Sequence, residues 1–157
     1  MKTNKLTISL SICLGLTSVF SSCDKTEKNT IENILTNTEW KIDYLFCYDE
    51  TIERYSMSVK SDTLEFNWGN FVLFSNNGTF KSYYTAWCGN DCFRTVYGKY
   101  KIISETTLSA KVDSATFQGW CTNSYSDSTW TEYRNSNPIS FSISKDANDI
   151  TLTLQSN

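Results

Sequence analysis

FVLFSNNGTFKSYYTAW, residues 71–87, reads as a β-hairpin, and the rest of the chain repeats its logic. Residues 71–74 are continuously apolar, and Asn76-Asn77-Gly78 supplies the residue types that tolerate the left-handed backbone of a tight hairpin turn. The return strand is expected over residues 79–87. Downstream, Val96, Gly98, Tyr100 and Ile102 fall on one face of a strand over residues 93–102, and Leu108, Ala110 and Val112 continue the period of two. Further on, Ile139, Phe141 and Ile143 alternate with serines, and Ile150, Leu152 and Leu154 alternate with Thr151 and Thr153. Upstream, Trp40, Ile42, Tyr44 and Phe46 share one strand face opposite Lys41 and Asp43, and residues 64–68 offer one more strand. Residues 30–35 place Ile31, Ile34 and Leu35 on one side of a short helical turn. Residues 118–138, polar and aromatic, break the alternation and read as a loop. About eight short strands joined by turns, with no βαβ rhythm, predict an antiparallel barrel or sandwich.

The N-terminus reads as an export signal. Lys2 and Lys5 precede an apolar run over residues 6–20 that is too short to span a bilayer. Ser21, Ser22 and Cys23 follow, the arrangement at which a lipoprotein signal is cut before a cysteine that receives lipid. Several buried acyl chains, each CH₂ contributing about 0.8 kcal/mol, would make that anchor effectively permanent. Phe20 stands where the commonest lipoprotein box carries Leu, and ordinary secretion with a free Cys23 thiol is the competing reading. The expected organisation is a signal over residues 1–22, a tether over residues 23–29 and one domain over residues 30–157. Its expected place is the cell envelope, as an outer-membrane lipoprotein facing the periplasm or the surface, with the lipid bilayer as a partner through acylated Cys23.

Removing the signal leaves 135 residues, enough for one core, with twelve basic against seventeen acidic side chains, a net −5. An acidic surface without a basic run argues against nucleic acid. Four cysteines remain in the domain: Cys47, Cys88, Cys92 and Cys121. An exported chain with an even number implies disulfides, and four cysteines allow three connectivities. The expected pairing is Cys88 with Cys92 across a tight Gly89-Asn90-Asp91 turn, and Cys47 with Cys121. A zinc site is disfavoured because there is no second close cysteine pair.

Three segments resemble the lipocalin-like (calycin-type) lipoproteins of Bacteroidetes. They are Leu35-Thr36-Asn37-Thr38-Glu39-Trp40-Lys41-Ile42, the apolar strand and Asn-Asn-Gly-Thr turn of residues 71–79, and Gly98-Lys99-Tyr100-Lys101-Ile102 followed by Leu108. The resemblance spans residues 31–154 and implies a single antiparallel up-and-down β-barrel of about eight strands, with a Trp near its closed end. The loop over residues 118–138 and the four domain cysteines depart from that family.

The chain contains no histidine, which removes Ser-His-Asp and Cys-His machinery and His-based metal sites. The close carboxylate pairs Asp62 with Glu65 and Asp146 with Asp149 lie beside turns and read as solvated charges, so neither an enzyme nor a cofactor is expected. Trp68, Tyr83, Tyr84, Trp87, Tyr97 and Tyr100 fall on strands and read as packing groups. Trp120, Tyr125, Trp130 and Tyr133 fall among Ser, Thr and Asn, the composition of a recognition loop. The expected role is a monomeric binding module for a small hydrophobic ligand or a glycan. The alternative is a protein–protein inhibitor or immunity-type lipoprotein acting through that loop. An interior cavity would favour the first, a filled interior the second.

Overall fold

The computed structural model describes residues 30–61, 68–87, 91–121 and 128–155. Its elements are a helix, α1 (Ile31–Leu35), then β1 (Glu39–Ile42), β2 (Arg54–Val59), β3 (Gly69–Phe74), β4 (Thr79–Thr85), β5 (Cys92–Ser104), β6 (Thr107–Gly119), β7 (Ser128–Tyr133), β8 (Ile139–Asp146) and β9 (Asp149–Leu154). These nine described strands form one antiparallel sheet. Eight of them close into a ring, in the order β1, β2, β9, β8, β6, β5, β4, β3 and back to β1. The ring is not a plain meander, because β1 lies between β2 and β3, and β7 lies outside it, paired to β6.

Alternation explains why these segments pair as they do. In β5 every second residue from Val96 to Tyr100 is buried, and in β9 Ile150 and Leu152 are buried between exposed or half-buried neighbours. The hairpin over residues 71–87 forms with Phe74 opposite Phe80 and Gly78 at φ 77° in its turn. Gly98 is fixed by what lies above it: a Cβ there would sit 2.5 Å from the Phe80 ring and 2.2 Å from the Lys111 carbonyl oxygen. Opposite Gly98, β6 slips by one residue, so that Gly98 faces Val112 while Tyr97 faces Ser114. The bulged Asp113 carbonyl accepts instead from the Arg134 amide (2.8 Å), which seats the end of β7.

One end of the ring is shut by α1. Thr30 caps it by accepting the Asn33 amide (3.4 Å), and Glu105, from the β5–β6 turn, accepts the Ile31 amide (3.1 Å). Ile31 and Leu35 are buried, and the indole of buried Trp40 donates to the Leu35 carbonyl (3.2 Å), which ties β1 to the helix.

Several expectations are corrected here. The first strand stops at Ile42 rather than running to Phe46, because Asp43 diverts the backbone: its carboxylate accepts the Tyr44 amide (3.0 Å) and the Ser56 amide (3.2 Å). Tyr44 is therefore exposed, and Phe46 is buried from a turn. Residues 54–59 form β2, which the sequence reading missed, and the expected loop over residues 118–138 contains β7. Of the expected strand over residues 64–68, only Trp68 is among the described residues.

The cysteines also pair differently. Cys92 is bonded to Cys121, and Cys47 is buried and unbonded. Cys92 opens β5 opposite Gly119, so the hairpin register carries Cys121 to within 4.4 Å of it, Cα to Cα, whereas Cys47 faces the ring interior. Cys88 and Cys23, with the expected signal and tether, lie outside the described residues.

Candidate functional site

At the end opposite α1 the ring is filled by its own chain. Between β1 and β2, residues 45–48 turn inward, and Leu45, Phe46 and Cys47 are buried. Phe46, 0% exposed, is ringed by aromatic groups from four strands: Tyr55 at 5.2 Å, Phe74 at 5.5 Å, Phe80 at 5.1 Å and Phe141 at 5.4 Å between centroids. Aromatic rings in these tilted arrangements contribute beyond their buried area.

A loop that enters a core must satisfy its amides, and here side chains on opposite walls do so. The Phe46 amide donates to Ser82 Oγ of β4 (3.0 Å), and that hydroxyl donates to the Phe71 carbonyl (2.9 Å). The Cys47 amide donates to the Tyr55 hydroxyl of β2 (3.1 Å). Burial pushes the Cys47 thiol well above its ordinary range, and burial followed by the nearby Cys47 pushes the Tyr55 phenol up as well. Cys47 also holds a left-handed backbone, φ 56°, a conformation uncommon for a side chain-bearing residue.

The plug is braced from outside by Tyr48. The Arg134 guanidinium lies over its ring at 4.8 Å and donates to its carbonyl (2.9 Å), and Arg94 lies over the same ring at 5.5 Å. The Tyr48 ring meets Phe117 edge-on at 6.3 Å, and Phe117 stacks on Trp130 at 4.8 Å with 10° between planes.

Two clefts flank the plug. One, of about 490 Å³, has buried Tyr55 and Phe141 and half-buried Ile139 and Leu154 in its lining, with exposed Asp49, Glu50, Asn135 and Asn137 around them. The other, of about 320 Å³, is lined by Leu45, Asn70, Tyr84, Asp91, Cys92 and Arg94. Asp49 Oδ1 accepts both the amide (2.9 Å) and the hydroxyl (2.7 Å) of Thr51, which lowers its carboxyl below the usual range.

The aromatic groups expected to form one recognition loop are separated. Trp130 is half-buried on the inward side of β7, stacked on Phe117, while Tyr133 lies three residues on, on the other side of the strand, 88% exposed. Trp120 is exposed just beyond β6, and Tyr125 lies outside the described residues. Trp87, expected to pack on a strand, stands past the end of β4 and is 72% exposed, 5.5 Å from the ring of exposed Trp68. Tyr44, Trp68, Trp87 and Trp120 all leave strand ends at the plugged end, so the rim is aromatic.

Sequence reasoning missed Asp49, Glu50, Asn135 and Asn137 because they are ordinary polar residues of two separate loops, which meet only when the ring closes. The available signal for Trp68 and Trp87 was their place at the two ends of one hairpin. Asp146 and Asp149 flank the β8–β9 turn and are exposed, Asp62 and Glu65 lie outside the described residues, and among the described residues no three His, Cys, Asp or Glu side chains gather as a metal shell. Comparison with protein-family models, characterised proteins and solved structures finds no match for the chain.

Proposed function

We propose that this chain is an exported lipocalin-like β-barrel lipoprotein, acylated at Cys23 and held in the cell envelope, whose plugged end binds a partner protein as an inhibitor or immunity-type factor. The observation that carries this reading is Phe46. A lipocalin-like barrel serving a hydrophobic ligand needs room on its axis, and here four aromatic rings close around a side chain of the protein itself. Specificity then rests on what protrudes: Trp68, Trp87, Trp120 and Tyr44. Exposed aromatic groups on a rigid, disulfide-tied rim suit hot-spot recognition by another protein.

The polarity of the fold supports the same reading. Trp40 lies beneath α1, and Thr30, where the proposed tether would join, is at the helix-capped end. An anchor entering there would hold the aromatic rim away from the bilayer.

Two measurements test this. Native mass spectrometry of the purified protein is expected to show the bare polypeptide mass plus its acyl groups; a stoichiometric co-purified lipophile would overturn the filled-barrel reading. Affinity capture from envelope extract is expected to retain one partner with the native chain and to lose it with Trp87→Ala and Trp120→Ala combined. Equal retention by both would overturn the rim assignment.

A further inference from the structure

The cleft of about 490 Å³ beside the plug lies where the ring is split. β6 pairs with β8 only over Thr107–Ala110 and hands its second half to β7, and the connection from β7 to β8 brings Asn135 and Asn137 to face the segment that carries Asp49, Glu50 and Tyr55. We propose that this cleft receives a lysine side chain of the partner protein, its methylenes lying on Ile52, Ile139 and Leu154 and its ammonium meeting Asp49 and Glu50. The inference rests on the protein-binding reading above and names the chemistry of one contact within it.

Three observations carry it. The lining pairs apolar groups with carboxylates and amide groups, which matches a long aliphatic stem ending in a cation. Charge complementarity sets the sign. The charged residues lining the cleft are Asp49 and Glu50, and the neighbouring Arg134 is already committed to Tyr48 and to Glu132 (3.7 Å). The Asp49 carboxylate is also held in place before any ligand arrives: both bonds from Thr51 fall on Oδ1, and Oδ2 takes part in neither.

A sugar fits less well. The aromatic members of the lining, Tyr55 and Phe141, are turned into the core, 5.9 Å apart and edge to face, and both are buried, so neither offers a flat ring for stacking. The volume is within the range of side-chain and small-ligand pockets, so a single extended side chain enters with room for water.

The test is a nuclear magnetic resonance titration of the isotope-labelled protein with three probes: Nα-acetyl-lysine amide, Nα-acetyl-norleucine amide and cadaverine. The lysine probe is expected to give saturable shifts at Ile52, Ile139 and Leu154, and the norleucine probe, which has the stem without the charge, at least tenfold weaker ones. Glu50→Gln combined with Asp49→Asn, which keeps an acceptor for Thr51, is expected to weaken the lysine probe tenfold or more while the spectrum stays dispersed. Equal shifts from the lysine and norleucine probes would overturn the role of the carboxylates. Shifts with cadaverine and none with the lysine amide would reassign the cleft to free polyamines and overturn the proposal. Absence of shifts with every probe would overturn it while leaving partner capture through Trp87 and Trp120 standing. Loss of that capture dependence alone would overturn the protein-binding reading without touching the probe result.

Discussion

The two ends of the ring are closed by different means. At one end a short helix is capped by Thr30 and Glu105 and pinned by the Trp40 indole, mostly through contacts close in sequence. At the other, a turn crosses the interior and is held by Tyr55 of the next strand and by Ser82, Phe74, Phe80 and Phe141, groups far along the chain that meet it only when the strands close. The first closure is a matter of local rules and the second of tertiary packing. The helix end is thus a structural stopper, and the plugged end is where the fold spends irregular backbone, exposed tryptophans and two clefts.

Removing Phe46 is the harshest test of that contrast. Phe46→Ala is expected to destabilise by about 3–5 kcal/mol, since it opens a hole faced by four strands that cannot all relax inward. Urea unfolding monitored by tryptophan fluorescence measures it. A loss below about 1 kcal/mol would mean that the ring closes without the plug, and the two ends would no longer differ in kind.

Next in size is the disulfide. Cys92→Ser with Cys121→Ser removes a cross-link spanning 29 residues, worth about 3.6 kcal/mol in the chain-entropy model. Because Cys92 and Cys121 tie β5 to β6 at the rim, the loss should fall on the plugged end. Amide hydrogen exchange is expected to quicken at residues 92–96 and 115–119 while Leu35 and Trp40 keep their protection.

Alkali reaches the plug by another route. Cys47 and Tyr55 both have folded-state values raised by burial, so the stability they hold is full below the ordinary thiol value of 9.0 and is lost as pH rises toward their folded values. Urea midpoints are expected to be flat from pH 7 to 8 and to fall above 9, and Cys47→Ala is expected to flatten part of that fall. An identical fall in the variant would remove the thiol from the account.

Local rules explain what was legible in the sequence. The helix over residues 31–35, the Asn77-Gly78 turn, the faces of β5, β8 and β9 and the all-β class follow from spacing and turn chemistry. The misreadings have a common cause. Phe46 has the right parity for a strand position, but Asp43 breaks the strand first, and no periodicity records a side chain-to-backbone bond. Cys92 and Cys121 are nearly equidistant from the Glu105–Thr106 turn, so their pairing was encoded in a hairpin much longer than the one expected from residues 93–102 and 108–112. β7 was hidden by its serine, threonines and tyrosine, which suit an exposed strand as well as a loop. The clefts were illegible because their polar members come from loops with no pattern.

At the helix end the corresponding change is modest. Thr30→Ala removes one cap acceptor while Glu105 keeps the other, and is expected to cost about 1 kcal/mol, read from the same urea curves. A loss as large as that from Phe46→Ala would show that the helix, not the plug, holds the ring shut.

The smallest change in stability should come from a residue proposed to matter most for binding. Trp87 is 72% exposed and its ring lies against Trp68, itself exposed, so truncation takes little apolar surface out of the folded interior. Trp87→Ala is expected to move the unfolding free energy by about 0.5 kcal/mol or less, as surface substitutions do. In partner binding the same change is expected to cost about 2 kcal/mol, roughly thirtyfold in affinity, because an exposed tryptophan on a rigid rim gives up its water only when something covers it. Large losses in stability and none in binding would make Trp87 a packing group and return the rim to the structural role of the opposite end. The reverse pattern would show that one ring of strands carries its stability inside and its specificity at a single edge.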